Sequence, residues 1–597
     1  MKNLLALAAL AVSLIPLQAQ MTPDQRVFDL QVLASLYAKQ YAPYEWKRDL
    51  FQFDMLELAP WAKRARAAKD DLEYFEIMAQ YVGSLNDAHS TYFMQSDFVA
   101  YLPFNVDMYD GKVLIDGIDR TSLSARKYPF AVGDELVSID NKPVDDLIIA
   151  FMKIDSFANP RSTRRWAVDK LTYRAQASLP RSIELGDQAE IVVRRKSGDL
   201  ETYTMDWVKV GYPVKKIGPT LSPRLSRTLR EAKVKSVFDQ SLDGEPAYRK
   251  TMLGLQHWKS RPKTARFVEQ PESAVADEQN PEGTKSAVAD YFGFLGPAFK
   301  VPAGFAQRLG RSRSDYFYSG TFTAQGKKLG YIRISDFEPL PFSLLSIPMR
   351  QFASEIAYMN ANTDGLVVDV MNNPGGFGCY ANDLFSYLTT KRFNLIGLEL
   401  RPTLDWVISF RQAYDDALDF GATAVELTFL SGILRDIESA YYENRGRTGR
   451  IDVCGLTLDQ EPARTAQGTL AGYTKPSILL TNEFSTSAAD VFSALYQDNL
   501  RGPTVGMRSA GAGGSVSSGI QVGFYSEGST SVTIGMLSRP NNVAVSGYPV
   551  TAYIENVGVH PNIEADIMTK ANLDSGGADF VKTFTDAIVA EINKLPK

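Results

Sequence analysis

The chain has 597 residues, of which 45% are hydrophobic and 22% charged, and its formal net charge is −5. A chain of this length exceeds one compact core, so we expect three or four domains of ordinary globular composition. The mildly acidic balance gives no electrostatic case for binding nucleic acid or an anionic membrane surface.

The first residues predict a secretory signal peptide. Lys2 precedes the apolar run LLALAALAVSLIPL, and a small residue, Ala19, follows it. This pattern is typical of a signal peptide and predicts cleavage after Ala19. No later stretch is apolar for long enough to span a bilayer, so we expect an exported protein, periplasmic or extracellular. The two cysteines, Cys379 and Cys454, make no disulfide framework, and the sequence leaves a single bridge open.

Residues 20–98 predict a helical N-terminal domain, because segments 25–38 and 72–85 carry apolar residues at helical spacing. The second segment leads into NDAHS, which contains His89, one of three histidines in the chain. A histidine near a helix C-terminus is favoured by the helix dipole alone. Position by itself therefore assigns His89 no chemical role.

Short strand-like runs separated by glycine and aspartate corners fill residues 99–210. The sequence FAVGDELVSIDNKPV at 130–144 resembles the signature of PDZ domains, and IVVRRKSGDLETYTM resembles their final hairpin. PDZ domains bind a peptide tail as an added strand at a sheet edge. The alternative is an unrelated small β domain.

Residues 211–315 are the least regular part of the chain. Segment 261–290 is polar, contains proline and is poor in aromatic residues, which is typical of a mobile loop or linker. His257 lies just before it, in GLQHWK, and nothing in its surroundings assigns it a chemical role.

From 316 onwards strands and helices alternate. We expect strands at 329–334 and 366–370, helices at 352–359 and 380–388, and a sharp corner at NNPGG. A second strand, corner and helix surround Ser487. Two such units predict an α/β core with both corners at the same end of one sheet.

The stretch 476–515 contains the candidate nucleophile. The apolar run 477–480 leads into a polar corner, and apolar residues at helical spacing begin after Ser487. Such a corner would lift the Ser487 hydroxyl off the sheet, beside helix N-terminal N–H groups that stabilise an oxyanion. Alternatively, Ser485 and Ser487 merely cap the helix. This stretch alone favours capping, because the G-x-S-x-G pattern is absent.

Four motifs, which occur in order along the chain, favour a nucleophilic Ser487 over helix capping. LGYIRISDF, GLVVDVMNNPGG, SILLTNEFSTSAADVFSALYQDN and GVHPNIE resemble successive motifs of the tail-specific (C-terminal processing) serine peptidase family. YAPYEWK, LNDAHS, AYLPF, SAGAGGS and YIENVGV resemble, within it, the chlamydial protease-like activity factor and its bacterial relatives. The resemblance implies a multidomain α/β protein: helical N-terminal domain, PDZ-like β domain, linker at 211–315, and catalytic core of the crotonase-like type at 316–597.

The lysine that most members of this family use as base is missing. Ala512 stands at the matching position, and no lysine lies between Lys475 and Lys570. A lysine base needs its pKa lowered from about 10.4, whereas histidine titrates near 6.5 without adjustment. The departure excludes a local Ser–Lys dyad.

The resemblance instead implies a triad of Ser487 as nucleophile, His89 as general base and then acid, and Glu555 as the residue that orients the imidazole. It also implies an oxyanion hole made by backbone N–H groups, where glycine lets the backbone approach the substrate. The residues concerned are Ala488 and either Gly375 or Gly376.

Each member of the triad has a rival interpretation. Glu555 would otherwise shape a turn, with His560 as a competing base, although His560 ranks below His89. Asp498, eleven residues after Ser487, is interpreted as a structural ion pair or cap.

The leading function is an exported serine endopeptidase acting on proteins or peptides. By resemblance, it is activated by self-cleavage of an internal inhibitory segment near 240–290 and forms a homodimer. The alternatives are a binding protein that has lost catalysis and an esterase using the same triad. No H-E-x-x-H, Cys/His cluster or phosphate loop is present, so we expect no cofactor and no metal.

Overall fold

A computed structural model describes residues 20–215, 218, 257–259, 293–339, 345–454 and 457–596. The predicted signal peptide, apart from its cleavage boundary, and most of the 211–315 linker lie outside these residues. Among the residues described, no helix is long and apolar enough to cross a membrane.

The N-terminal region is helical, as predicted. Its helices are α1 (Pro23–Gln40), α2 (Tyr44–Phe51), α3 (Ala59–Ala67) and α4 (Asp71–Gly83). Thr22 and Gln25 form a capping box at the start of α1, and the side chain of Asp70 accepts the Glu73 N–H at the start of α4. The apolar faces of α1 and α4 share one core. A strand, β1 (Thr91–Met94), follows, so His89 lies in the short link between α4 and β1.

The PDZ-like region is a small β domain with two helices. Its elements are β2 (Val99–Tyr101), β3 (Phe104–Tyr109), β4 (Lys112–Ile118), β5 (Glu135–Ile139), β6 (Lys142–Pro143), α5 (Val144–Met152), α6 (Pro160–Thr172), β7 (Tyr173–Ala175), a 3-10 turn (Pro180–Glu184), β8 (Gln188–Arg194), β9 (Leu200–Asp206) and β10 (Val208–Val210). The main sheet is antiparallel, in the order β3-β4-β5-β8-β9. In β8, Ala189, Ile191 and Val193 are buried and their neighbours are not, so one face packs on the core.

The α/β core follows, and two strands from the predicted 211–315 linker are included with its first half. The elements of its first half are β11 (His257–Lys259), β12 (Ala306–Leu309), β13 (Tyr318–Ala324), β14 (Lys327–Arg333), α7 (Ser346–Asn362), β15 (Gly365–Asp369), β16 (Gly375–Phe377), α8 (Gly378–Ser386), β17 (Phe393–Asn394), β18 (Gly397–Leu400), α9 (Leu404–Asp419), α10 (Ala424–Tyr442) and β19 (Asp459–Gln460). The helical hairpin of α9 and α10 was not predicted.

The second half of the core carries the serine. Its elements are β20 (Ser477–Thr481), α11 (Ala488–Asp498), β21 (Thr504–Gly506), β22 (Gly514–Val522), β23 (Gly528–Val543), β24 (Thr551–Tyr553), β25 (Ile563–Glu564), α12 (Lys570–Ser575) and α13 (Ala578–Asn593).

The central sheet has seven strands in the order β12-β13-β14-β15-β20-β21-β25. The last five strands in this order run parallel to one another. Leu366 and Val368 face the core that contains α7, α8 and α11, while Val367 faces the core that contains α13. Because parallel strands end at the same edge, the corners after β15 and β20 lie side by side, which confirms the predicted arrangement.

A second sheet joins the N-terminal region to the core. β23 pairs with β1, β18, β22 and β24, and in the β1 pair Thr91 lies opposite Ser531. This pairing brings the segment before β1 close to the corner after β20. Nearby, a disulfide joins Cys379 to Cys454, so the bridge that the sequence left open is present.

Candidate active site

Ser487 stands between the corner after β20 and the first residue of α11. Its backbone angles are φ 61° and ψ −111°, in a region that non-glycine residues seldom occupy. Its N–H donates to Asp490 Oδ2 at 2.7 Å, which holds the turn in place. The rival serine is engaged elsewhere: Ser485 Oγ donates to the Val370 carbonyl at 2.8 Å and accepts the Asn482 N–H. Ser487 is therefore the residue that this corner presents.

His89 reaches this serine from the other end of the chain. Its Nε2 lies 2.8 Å from Ser487 Oγ, across 398 residues of sequence, and both residues are buried. Asp87 fixes the loop by accepting the His89 backbone N–H at 2.8 Å and the Thr533 hydroxyl at 2.7 Å. The Nε2–Oγ distance is that of a general base with its nucleophile.

Glu555 lies in the same buried cluster, with its carboxylate held on both sides. Oε1 accepts a hydrogen bond from Lys47 Nζ at 2.5 Å, and Oε2 accepts the Gly513 N–H at 2.9 Å. The next glycine, Gly514, is so close to the imidazole that a Cβ there would lie 3.7 Å from His89 Nδ1. Glu555 and His89 thus flank one short glycine segment.

Burial and neighbouring charges set the electrostatics of this cluster. Burial raises the pKa of Glu555 to about 8; the Lys47 ammonium opposes this rise, and the charge of Asp87 adds to it. Burial also works against ionisation of Asp87, but Lys47 and His89 outweigh it and lower the pKa of that carboxyl. Tyr41, at the end of α1, completes the cluster, and burial together with both carboxylates raises the pKa of its hydroxyl.

The predicted oxyanion-hole residues lie where two corners meet. Ala488 is the first residue of α11, directly after Ser487, and Gly375 and Gly376 are the first two residues of β16. Gly376 has φ 139°, and a Cβ there would meet the backbone of Phe337 at 2.3 Å, so only glycine fits. The Gly375 N–H donates to Asn373 Oδ1 at 2.8 Å. Because this bond engages the Gly375 N–H, the candidate donors to an oxyanion are Ala488 and Gly376, of which Gly376 lies opposite Trp258 of β11 in this structure.

An amide pair that was not predicted connects the two corners. Asn482 Nδ2 donates to Asn372 Oδ1 at 2.7 Å, and the Asn372 N–H donates back to Asn482 Oδ1 at 2.9 Å. The Thr486 N–H also donates to the Asn373 carbonyl at 2.9 Å. The only sequence signal was an asparagine within three residues of the end of β15 and of β20.

The short strand β11, which belongs to the predicted linker, pairs with β16 at this site. Its backbone runs antiparallel to β16, with His257 opposite Phe377 and Lys259 opposite Gly375. A segment from the linker thus adds a strand to the loop that contains the candidate oxyanion glycines, in the manner of an extended peptide at a sheet edge.

The PDZ-like domain packs directly on the serine corner. Glu483, fully buried in that corner, pairs with Arg161 and with Arg165, whose Nη1 lies 3.1 Å from Glu483 Oε1. Ser162 Oγ also donates to the Glu483 carbonyl at 2.5 Å. All three partners belong to α6, so this helix supports the corner that contains Ser487.

The rival residues are placed away from the serine hydroxyl. Asp498 accepts hydrogen bonds from Arg539 Nε at 3.0 and 3.1 Å, which agrees with its predicted structural ion pair. His560 is partly exposed, and its backbone carbonyl accepts a bond from Gln497 Nε2 at 3.1 Å. Burial, with the charge of Arg508, lowers the pKa of the His560 imidazole.

Two family models match the chain. Residues 328–565 match peptidase family S41, and residues 99–214 match a PDZ domain. The second match coincides with the region in which the sequence predicted a PDZ-like module.

Chlamydial proteins are similar over almost the whole chain. A protein of Chlamydia trachomatis is 26% identical, with 90% of this chain and 88% of the relative covered, and one of Chlamydia pneumoniae is 24% identical, with 97% and 92% covered. Among solved structures, mature CPAF has a TM-score of 0.71 at 21% identity, with 96% of this chain and 99% of CPAF covered. CPAF complexed with lactacystin has a TM-score of 0.70 at 21% identity, with the same coverage. At these identities the structures establish a shared fold.

Proposed function

We propose that this chain is an exported serine endopeptidase of the tail-specific type with a Ser487–His89–Glu555 triad; the match of residues 328–565 to peptidase family S41 supports this assignment. The observation that carries the triad is the 2.8 Å approach of His89 Nε2 to Ser487 Oγ, between residues 398 positions apart. A chance packing contact would not explain why the strained corner, the imidazole and a buried carboxylate coincide.

In the proposed mechanism, His89 Nε2 takes the hydroxyl proton while Ser487 Oγ attacks the peptide carbonyl carbon. The N–H groups of Ala488 and Gly376 stabilise the developing oxyanion. The imidazolium then gives its proton to the leaving amine, and His89 deprotonates the water that hydrolyses the acyl-enzyme. Ionised Glu555, across the glycine segment, stabilises the imidazolium during both proton transfers.

Three variants test the triad. Ser487→Ala and His89→Ala should each reduce cleavage of a reporter peptide by at least about a thousandfold, because nucleophile and base act as a unit. The control, His560→Ala, removes a partly exposed histidine and should retain near wild-type turnover. Intact turnover in His89→Ala would refute the proposal.

Fluorophosphonate labelling separates the competing functions. A peptidase and an esterase should both label at Ser487, whereas a binding protein without catalysis should not. Cleavage of a peptide library by the labelling-competent protein then supports the peptidase. Hydrolysis of esters without peptide cleavage would favour the esterase.

Internal inhibition and self-cleavage form part of the proposal. The pairing of β11 with β16 supports it, because a linker segment occupies the edge where a substrate strand would lie. Production of the wild type beside Ser487→Ala should give linker fragments from the wild type alone. Fragments from both proteins, or from neither, would contradict self-cleavage.

Export and dimerisation also belong to the proposal. The Cys379–Cys454 disulfide supports an oxidising compartment, in agreement with the signal-like N-terminus. Mass spectrometry of the cellular protein should find Gln20 at the N-terminus, and an intact Met1 would contradict export. Light scattering should give twice the mass of the chain if the homodimer implied by the sequence resemblance forms.

A further inference from the structure

The buried cluster contains a lysine to which the mechanism above gives no role. Lys47, on α2, is only 2% exposed, although lysine is rarely buried without a specific partner. Its ammonium donates to Glu555 Oε1 at 2.5 Å and to the Asn86 carbonyl at 2.7 Å. A lysine thus enters the site from the N-terminal region and bonds to the acid, while the histidine contacts the serine.

The bonds of Lys47 join the two segments that must meet for catalysis. Asn86 precedes His89 by three residues, and Glu555 follows β24. Two further bonds reinforce the junction: Asn556 Nδ2 donates to the same Asn86 carbonyl at 3.0 Å, and Trp46 Nε1 donates to the Glu555 carbonyl at 3.2 Å. Lys47 therefore fixes the acid relative to the loop of the base.

The charges around Glu555 come from each element packed against it. α2 contributes the Lys47 ammonium, the end of α1 contributes the Tyr41 hydroxyl, and the link before β1 contributes Asp87 and His89. Two buried carboxylates thus share one ammonium. Like charges at short range oppose each other's ionisation, and a nearby cation favours it.

We propose that Lys47 is a positioning residue that holds Glu555 in place and in its ionised form, and thereby sets the pH above which the peptidase works. The proposal rests on the triad proposed above. Only an ionised Glu555 stabilises the imidazolium, because a neutral carboxyl lacks the opposing charge. Lys47 acts through Glu555 and does not take the serine proton.

Lys47 and Asp87 have opposite effects on the pKa of Glu555, so the direction of the expected pH shift differs between variants of the two residues. Burial raises the pKa of Glu555 to about 8, Lys47 counteracts the rise and Asp87 increases it. Replacing Lys47 by a neutral residue should raise that pKa further. Replacing Asp87 by asparagine should lower it, while the asparagine oxygen can still accept the His89 N–H.

The experiment measures the rate of fluorophosphonate labelling, and kcat/KM for a reporter peptide, from about pH 5 to about pH 10 on the full chain. The wild-type rate should rise with pH to a midpoint near 8, where Glu555 ionises. In Lys47→Met the midpoint should move up by about one unit, which lowers the rate at pH 7 on the order of tenfold. Lys47→Arg should restore the wild-type midpoint, and Asp87→Asn should move it down.

A merely structural lysine would give a different result. In that case the rate of Lys47→Met would be lower by the same factor at every pH, and its midpoint would be that of the wild type. This outcome would overturn the proposal. If Lys47→Met does not fold, Asp87→Asn and Lys47→Arg decide: a midpoint in Asp87→Asn that stays or rises, or one in Lys47→Arg that moves up, overturns it.

If the proposed triad itself is wrong, the labelling experiments should give a third pattern of results. If wild-type labelling is absent, or if His89→Ala labels at the wild-type rate, the proposed function fails and the role of Lys47 fails with it. If labelling depends on His89 while the midpoints do not move, only the role of Lys47 is refuted.

Discussion

Asp490 holds the serine corner together from inside the protein. This fully buried carboxylate accepts the N–H groups of Ser487, Gly511 and Ala512 at 2.7, 2.9 and 3.1 Å, and also the Ser509 hydroxyl. One side chain thus ties the strained serine to the SAGAGG segment that runs between Ser487 and Glu555. The same contacts explain how an unfavourable φ at Ser487 persists.

Asp490→Asn should damage both stability and catalysis. The asparagine NH₂ group would face backbone donors, so at least one buried donor would lose its acceptor and the free energy of unfolding should fall by about 2–3 kcal/mol. Labelling of Ser487 should slow at least about tenfold, because the corner loses its support. Urea unfolding and labelling measure the two effects. Asp415→Asn, on the exposed face of α9, is the control and should change neither.

The ionisation of Asp490 also predicts a dependence of stability on pH. Burial raises the pKa of Asp490 from 3.8 to about 6, despite its four donors. A raised pKa favours the protonated carboxyl in the folded state. The contribution of Asp490 to the free energy of unfolding is therefore greatest below the pKa that this carboxyl has in the unfolded chain, and it is lost as the pH rises to about 6. Between about pH 4 and pH 6, the wild type should lose on the order of 3 kcal/mol relative to Asp490→Asn. Parallel curves for the two proteins would contradict this.

At the scale of elements, the two strand-to-helix corners behave as one unit. The Asn372–Asn482 pair fixes the loop that leads into Gly375 and Gly376 against the loop that contains Ser487. Asn482 Oδ1 also accepts the Phe484 N–H at 3.1 Å, so the pair organises the corner itself.

Asn482→Ala should therefore separate the corners. The change removes the hydrogen-bond partner of the Asn372 N–H, the Phe484 N–H and the Asn372 Oδ1 atom. The free energy of unfolding should therefore fall by about 2–4 kcal/mol. In the folded fraction kcat should fall more than KM rises, because oxyanion donors act on the transition state. Asn482→Asp keeps the acceptor and should lie between. Equal changes in kcat and KM would show that the corners position substrate instead.

Local pattern predicted the parallel part of the core well. The expected strand at 366–370 is β15 at Gly365–Asp369, because strands buried on both faces appear as continuous apolar runs. The expected helix at 352–359 extends over Ser346–Asn362, since its first turn, with Ser346 and Pro348, has no apolar periodicity. The corners were predicted because glycine, proline and asparagine mark them.

The second sheet and two charged residues of the site, Lys47 and Asp490, were not predicted. β23 buries Ser529, Thr530 and Ser531, whose small polar side chains give no hydrophobic signal. Its pairing with β1 spans more than four hundred residues and cannot be inferred from local periodicity. Lys47 and Asp490 likewise resemble surface charges in sequence, because burial of a charge depends on partners brought by the fold. Ser487 was a candidate from its strand–corner–helix pattern, but the family motifs were needed to prefer it over helix capping and to select His89.

At the scale of the whole molecule, the disulfide closes a long loop next to the site. Cys379 lies in the first turn of α8, directly after β16, and its partner Cys454 is 75 residues away. The closed loop contains the α9–α10 hairpin. The bond therefore anchors the segment with Gly375 and Gly376 to the far end of that insertion.

Removing the disulfide should destabilise the protein by about 4 kcal/mol, the loop-closure entropy of a loop of this size. The comparison is urea unfolding of Cys379→Ala/Cys454→Ala and of wild type with and without reductant. Reduced wild type should match the double variant, and reductant should leave the double variant unchanged. A wild type that unfolds identically with and without reductant would contradict the prediction.

The 398 residues of sequence that separate His89 from Ser487 also have a consequence for biosynthesis. Translation proceeds from the N-terminus, so His89 leaves the ribosome long before Ser487, and Glu555 later still. β1 meets its partner strand only after Ser531 has been made. A nascent or prematurely terminated polypeptide that lacks the later residues therefore cannot bring His89, Ser487 and Glu555 together.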